Sequence, residues 1–141
     1  MGVAVFDANV FVHLYATGPR QHEARRTLEH YRALAPDHVY TEFANVLGKL
    51  AHLGQVRPAD ARAAVAHLPE VVGMVPSPSL IPAAYDAARR MGHGVYDCLY
   101  PILAEALRCP FVSEDHKFLR KARRFATVPL LELADLPETL P

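Results

Sequence analysis

One alternation constrains this chain more than any other feature. Short runs of apolar residues recur between longer stretches with helical spacing, and acids follow them. Val3-Ala4-Val5-Phe6 runs straight into Asp7, and Phe111-Val112 is followed by Ser113, Glu114 and Asp115. A run this short and apolar throughout suits a strand buried on both faces. Buried strands that alternate with helices imply a parallel sheet covered on both sides. The expected fold class is therefore α/β: a three-layer α/β/α sandwich with a central, mostly parallel sheet.

The spacing predicts strands at 3–6, 39–40, 71–75, 111–112 and 128–131. Helices are expected at 7–15, 22–33, 41–53, 58–68, 79–91, 97–107 and 116–125. Gly18-Pro19 breaks the first helix. Thr41 is the expected N-cap and Gly54 the expected stop of the third. Pro101 bears on the sixth: a proline is best tolerated in the first turn, so that helix is expected to begin near 97. No repeat, low-complexity tract or linker interrupts the pattern, so residues 1–141 read as a single domain.

Composition excludes several classes. At 51% apolar residues the chain is too rich for disorder. No apolar run approaches the ~20 residues that span a bilayer, so no membrane role is expected. The start carries no export signal. Cys98 and Cys109 are the only two cysteines. On one helix at about 1.5 Å rise per residue they stand too far apart for a disulfide. A reduced, cytoplasmic setting fits. The formal net charge is zero with histidine neutral, so only local clusters point to partners.

The acids form such a cluster. Asp7 ends the first strand, Glu42 opens the third helix, Asp97 opens the sixth and Asp115 follows the strand at 111–112. Each alone reads as a helix cap or a partner of the helix dipole. In an open parallel sheet, however, strand C-termini and helix N-termini share the edge where ligand sites form. Two unit charges about 4 Å apart repel by roughly 4 kcal/mol at an effective dielectric near 20. Four converging carboxylates need protons or a cation. Hard oxygen donors with no cysteine or histidine pattern point to Mg²⁺ or Mn²⁺.

These stretches resemble the motifs of the PIN domain, and within it the VapC-type toxin ribonucleases. VFDANVFV is similar to the family's opening motif, YTEFANVL to its second, VYDCLYPILAEAL to its third and FVSEDHKF to its fourth. The resemblance runs in order over nearly the whole chain. It departs at Pro101 and at Cys98, which stands where a small residue is expected. It implies metal-dependent cleavage of RNA. Asp7, Asp97 and Asp115 would be metal ligands, and Glu42 a ligand or the residue that orients the water. Asn9 and Ser113 would hold the carboxylates. Asp115 takes the family role rather than its neighbour Glu114. The resemblance also implies a homodimer and a VapB-type antitoxin whose C-terminal segment lies in or near the acidic cleft. Apolar helices at 41–53 and 58–68 would offer a groove.

Other chemistries find less support. The chain has no H-E-x-x-H, C-x-x-C or G-x-S-x-G, and Gly92-His93-Gly94 lacks the third glycine of a dinucleotide loop. A haloacid-dehalogenase-type phosphatase also begins strand-Asp, but needs a second Asp where Asn9 stands. A catalytically silent partner-binding domain is the other alternative. The eight histidines are scattered and read as surface or satisfied residues, His116 included. In HKFLRKARRF, Phe118, Ala122 and Phe125 are expected on one helix face. Lys117, Arg120, Lys121 and Arg124 are expected on the other, with Arg123 at its edge. Five of the 15 Lys and Arg residues fall within this stretch. Such a strip beside an acid cluster suits an RNA backbone, which needs positive charge nearby.

Overall fold

Val5, Phe6, Phe111 and Val112 are completely buried, and they belong to two strands that pair in parallel at the centre of the sheet. The computed structural model describes residues 2–135. Met1 and residues 136–141, the ends of the expected single domain, lie outside the described residues. The strands are β1 (Gly2–Phe6), β2 (Tyr31–Pro36), β3 (Gly73–Val75), β4 (Phe111–Val112) and β5 (Leu130–Leu131). The helices are α1 (Ala8–Tyr15), α2 (Gln21–His30), α3 (Val39–His52), α4 (Pro58–Val71), α5 (Ile81–Met91), α6 (Val95–Leu107) and α7 (His116–Ala122). Every strand pair is parallel, and the order across the sheet is β3-β2-β1-β4-β5. Helices complete a three-layer α/β/α sandwich, as expected. α6 packs against β1, β2 and β4, and α2 against β2. Tyr100, Phe43, Phe11 and Phe118 bring large side chains from four helices into the core.

The strand order reverses between β1 and β4. Such a switch point leaves a crevice outside the C-terminal ends of the strands. Val5 pairs with Phe111 and Phe6 with Val112. The Asp7 N–H then donates to Val112 O at 3.0 Å, so the pairing sets Asp7 beside Ser113.

The structure corrects the second strand. Residues 22–33 are not one helix, and Val39-Tyr40 is not a strand. α2 ends at His30, and Tyr31–Pro36 is β2, in register with β1 from Gly2↔Tyr31 to Val5↔Leu34. Tyr31, Ala33, Ala35 and Pro36 are its buried positions. A strand beside β1 satisfies backbone groups that a longer α2 would leave to β1's open edge. Val39 instead begins α3, and it is fully buried on the same stripe as Phe43 and Leu47. Thr41 is therefore not the cap. His38 holds that position, without a side-chain cap bond.

Other boundaries shift less. α4 continues to Val71 with Pro69 inside it, and β3 begins only at Gly73. A 3₁₀ turn at Pro78–Leu80 precedes α5. α6 begins at Val95, two residues before the expected start, and Pro101 sits inside it, buried. Proline cannot donate the helical bond that the Asp97 carbonyl would otherwise accept. Packing against the sheet holds this helix through the lost bond. Cys98 is buried within α6 and Cys109 just beyond its end, so the two do not share one helix; both are free.

Candidate active site

Asp7, Glu42, Asp97 and Asp115 arrive from four separate places: the end of β1, the first turns of α3 and α6, and the loop after β4. All four line one cavity of about 270 Å³, together with Asn9, Val12 and His13. The sheet edge inferred from strand ends and helix starts is thus real.

Asp7 is the deepest of the four, at 9% exposure. It occupies the N-cap position of α1 but makes no cap bond with its side chain. Ser113 Oγ donates to its Oδ2 at 2.8 Å instead, and Asn9 Nδ2 reaches the same oxygen at 3.4 Å. Burial raises the Asp7 pKa to about 7, and the negative charges of Glu42 and Asp97 add to the rise against the Ser113 bond. Ser113, completely buried, is a hub. Its Oγ also accepts from Asn9 Nδ2 at 3.2 Å and from the Asp115 N–H at 3.0 Å. Asn9 Oδ1 accepts the Glu114 N–H at 3.1 Å. Asn9 and Ser113 therefore tie the β1 end to the β4 end.

The other three acids have partners of their own. Asp115 Oδ1 accepts the Phe118 N–H at 3.0 Å, so this acid caps α7 as well as facing the cavity. Glu42 Oε2 accepts from the Tyr100 hydroxyl at 3.4 Å. Its Oε1 lies 2.7 Å from His38 Nε2, yet it is buried and no hydrogen bond reaches it. Nε2 also stands 3.0 Å from the Tyr96 carbonyl oxygen, which needs its hydrogen. Burial opposes charge on His38. Glu42, the Tyr96 carbonyl and Asp37 outweigh that opposition and leave its pKa above the ordinary value. Asp97 Oδ2 lies 2.6 Å from His93 Nε2. With these partners in place, no grouping of three or more His, Cys, Asp or Glu side chains among the described residues is arranged to hold a metal. The acids share a cavity without being a preformed coordination sphere.

Their donor chemistry nevertheless suits a hard cation. Every candidate ligand is a carboxylate oxygen, and the deepest one is raised by burial and by its neighbours' charge.

Sequence reasoning missed His38, His93 and Tyr100. Both histidines precede an acid by four residues, His38 before Glu42 and His93 before Asp97, and that spacing was the available signal. Tyr100 had no such signal; burial, then Asp7 and Glu42, raise its pKa far above the usual tyrosine range. Glu114 turns away from the cavity. Its carboxylate accepts the Leu133 N–H at 2.7 Å and lies 3.6 Å from Arg20 Nε. His116 pairs with Glu132 at 2.7 Å outside the cavity. Burial and the neighbouring Asp97 push the Cys98 thiol up to about 11, which leaves it an inert core residue.

The basic strip is shorter than expected. α7 ends at Ala122, so Arg123, Arg124 and Phe125 lie beyond it. The Arg123 guanidinium donates to Leu130 O, 3.0 Å away at the start of β5. Phe125 is not part of the buried face: it is 43% exposed, with the Arg90 guanidinium 6.0 Å from its ring centre. Lys117 and Arg120 are exposed on α7 and Arg124 just after it. Lys121 is half-buried, and its Nζ lies 3.4 Å from His93 Nδ1.

A parallel α/β sandwich with a carboxylate cavity at its switch point defines a class of acid-cluster α/β proteins. Within that class the chain belongs to the PIN-domain family, whose sequence profile matches residues 4–124. Members of this family are nucleases, and the phosphatase alternative falls away. No curated protein matches the chain in sequence. Among solved structures, PAE2754 from Pyrobaculum aerophilum aligns with TM-score 0.72 and 20% identity, over 92% of this chain and 89% of that one. A chain of VapBC2 from Rickettsia felis, solved bound to a promoter DNA fragment, gives 0.65 and 13% over 92% and 98%. A toxin–antitoxin complex from Klebsiella pneumoniae gives 0.53 and 15% over 98% and 96%. At these identities the likeness is one of fold.

Proposed function

We propose that this chain is a Mg²⁺- or Mn²⁺-dependent endoribonuclease, the VapC-type toxin of a toxin–antitoxin pair. The observation that carries this reading is the shared cavity: four carboxylates from four elements, with buried Asp7 raised to about 7. Family membership makes nucleic acid the substrate class, and the folds of VapBC2 and of the Klebsiella complex support the toxin assignment.

Asp7, Asp97 and Asp115 would hold the cation, and Glu42 would be a further ligand or orient the attacking water. A divalent cation bound there supplies a water activated for in-line attack on a phosphodiester and offsets phosphate charge. Ser113 and Asn9 keep Asp7 and Asp115 in place. Lys117, Arg120 and Arg124 would attract the RNA backbone toward an otherwise repulsive cavity. Lys121 belongs to the same strip, although His93 shares it.

The partners are a VapB-type antitoxin and a second copy of the chain, in a cytoplasmic setting. Among the described residues no helix is long and apolar enough to cross a membrane. A groove of about 710 Å³ opens between α3 and α4, lined in part by Leu47, Leu50, Val56 and Ala64 and by none of the four acids. Such a groove would take an apolar segment of the antitoxin, whose C-terminal part would lie in or near the acidic cleft.

The test is incubation with RNA, single-stranded DNA and a phosphomonoester, each with Mg²⁺, Mn²⁺ or chelator. Cleavage of RNA that stops with chelator is expected. Inertness toward all three substrates would instead favour the silent partner-binding alternative.

A further inference from the structure

His93 stands at the joint between α5 and α6. Gly92 adopts a left-handed backbone (φ 60°) that ends α5, and the His93 N–H bonds back to Ala88 O at 3.0 Å. The helix end therefore places the residue, whatever its side chain does. The imidazole packs against the Phe118 ring with centroids 4.7 Å apart and the planes tilted by 40°, and Phe118 is only 2% exposed. A buried ring of α7 thus backs the imidazole on one side.

Its two nitrogens face different partners. Nε2 is 2.6 Å from Asp97 Oδ2, and Nδ1 is 3.4 Å from Lys121 Nζ. An ammonium offers donors and no lone pair, so for a neutral imidazole this contact favours Nδ1 as the acceptor on that side. That tautomer carries its ring hydrogen on Nε2 and donates it to Asp97. Donor and acceptor roles run one way along the chain: Lys121 to His93, His93 to Asp97. His38 provides the contrast. It approaches Glu42 from the same spacing, but its Nδ1 is buried without a hydrogen-bond partner.

We propose that Lys121 and His93 form a positioning relay that fixes the Asp97 carboxylate, holding Oδ2 and leaving the second oxygen for a cation. Lys121 selects the imidazole tautomer, Phe118 backs the ring, and the imidazole orients the acid. His93 is a positioning residue: it acts only through Asp97. The relay spans α7, the α5–α6 joint and α6, so it links the basic strip to the acid cavity. It rests on the reading of Asp97 as a metal ligand.

Two measurements test it. The first needs no metal. ¹⁵N NMR of the histidine rings in chelator should show His93 as the Nε2–H tautomer, and Lys121→Met should increase the Nδ1–H form. A dominant Nδ1–H form in the unmutated chain overturns the relay. The second is Mn²⁺ affinity by electron paramagnetic resonance. His93→Phe keeps a ring for Phe118 but removes the donor, and should weaken Mn²⁺ binding 10- to 100-fold, the range for lost partners of a metal ligand. His93→Gln keeps an N–H donor and should recover most of the loss. Equal Mn²⁺ affinity in His93→Phe and the unmutated chain overturns the relay and leaves the metal reading intact. No Mn²⁺ binding by the unmutated chain overturns the metal reading, and the tautomer alone then decides the relay.

Discussion

Ser113 Oγ donates a 2.8 Å hydrogen bond to Asp7 Oδ2, although the two residues are 106 positions apart in the chain. Parallel pairing of β1 with β4 makes them neighbours. The same Oγ accepts from Asn9 and from the Asp115 backbone, so one hydroxyl joins both strand ends. Ser113→Ala leaves a buried carboxylate and two donors without their partner. Stability is expected to fall by roughly 1–3 kcal/mol in urea denaturation. The bond also lowers the Asp7 pKa, so its loss should raise that pKa further and weaken Mn²⁺ binding in the same variant.

Asp7 makes metal-free stability depend on pH. Its pKa is about 7 in the fold against 3.8 for the free side chain. Between those values the native state holds more protons than the unfolded state, so stability is greatest below about 4 as far as this group is concerned. It declines as pH rises toward 7 and levels off above. The loss amounts to about 4 kcal/mol across the window. Asp7→Asn removes the charge and should make the chelator-treated protein more stable at pH 8. Denaturation curves at pH 5 and 8 that fall equally far apart with and without the substitution would exclude this role for Asp7.

Asp115 has two jobs that substitutions separate. Asn caps helices about as well as Asp, so Asp115→Asn should keep the bond to Phe118 N–H and the stability of α7. Asp115→Ala should cost about 1 kcal/mol by losing the cap. Both should abolish RNA cleavage. Cleavage by Asp115→Asn at the unmutated rate would remove Asp115 from the metal site.

Asp97→Asn should likewise abolish cleavage while the fold, read by circular dichroism and thermal unfolding, is kept. That variant is the background for measuring RNA affinity without turnover. In it, Arg120→Ala with Arg124→Ala should weaken binding similarly across RNA sequences. The salt dependence of the binding constant should flatten by roughly one to two units. An unchanged slope would show the two arginines to be ordinary surface groups.

The sequence by itself determined the parallel sandwich and the position of the four acids along it. Strand ends and helix starts are local events, marked by apolar runs that stop at Asp7 and by the acids at the starts of α3, α6 and α7. It did not determine β2. The helical spacing of Ala24 and Leu28 runs on to Tyr31, and the alternation of Tyr31, Ala33 and Ala35 becomes meaningful only when β1 lies alongside. Backbone hydrogen bonds across a sheet come from distant residues, so local pattern cannot choose between a longer helix and a strand. The tertiary structure also decided what each acid does in the absence of metal. His93 meets Asp97 at four-residue spacing, yet its surroundings include Phe118 and Lys121, which reach it only when the fold brings α7 beside the α5–α6 joint. Burial depth is likewise a property of the assembled core. Asp7 and Asp115 look alike in sequence, each coming after a buried strand, but Asp7 is the more deeply sealed, and burial there raises its pKa to about 7.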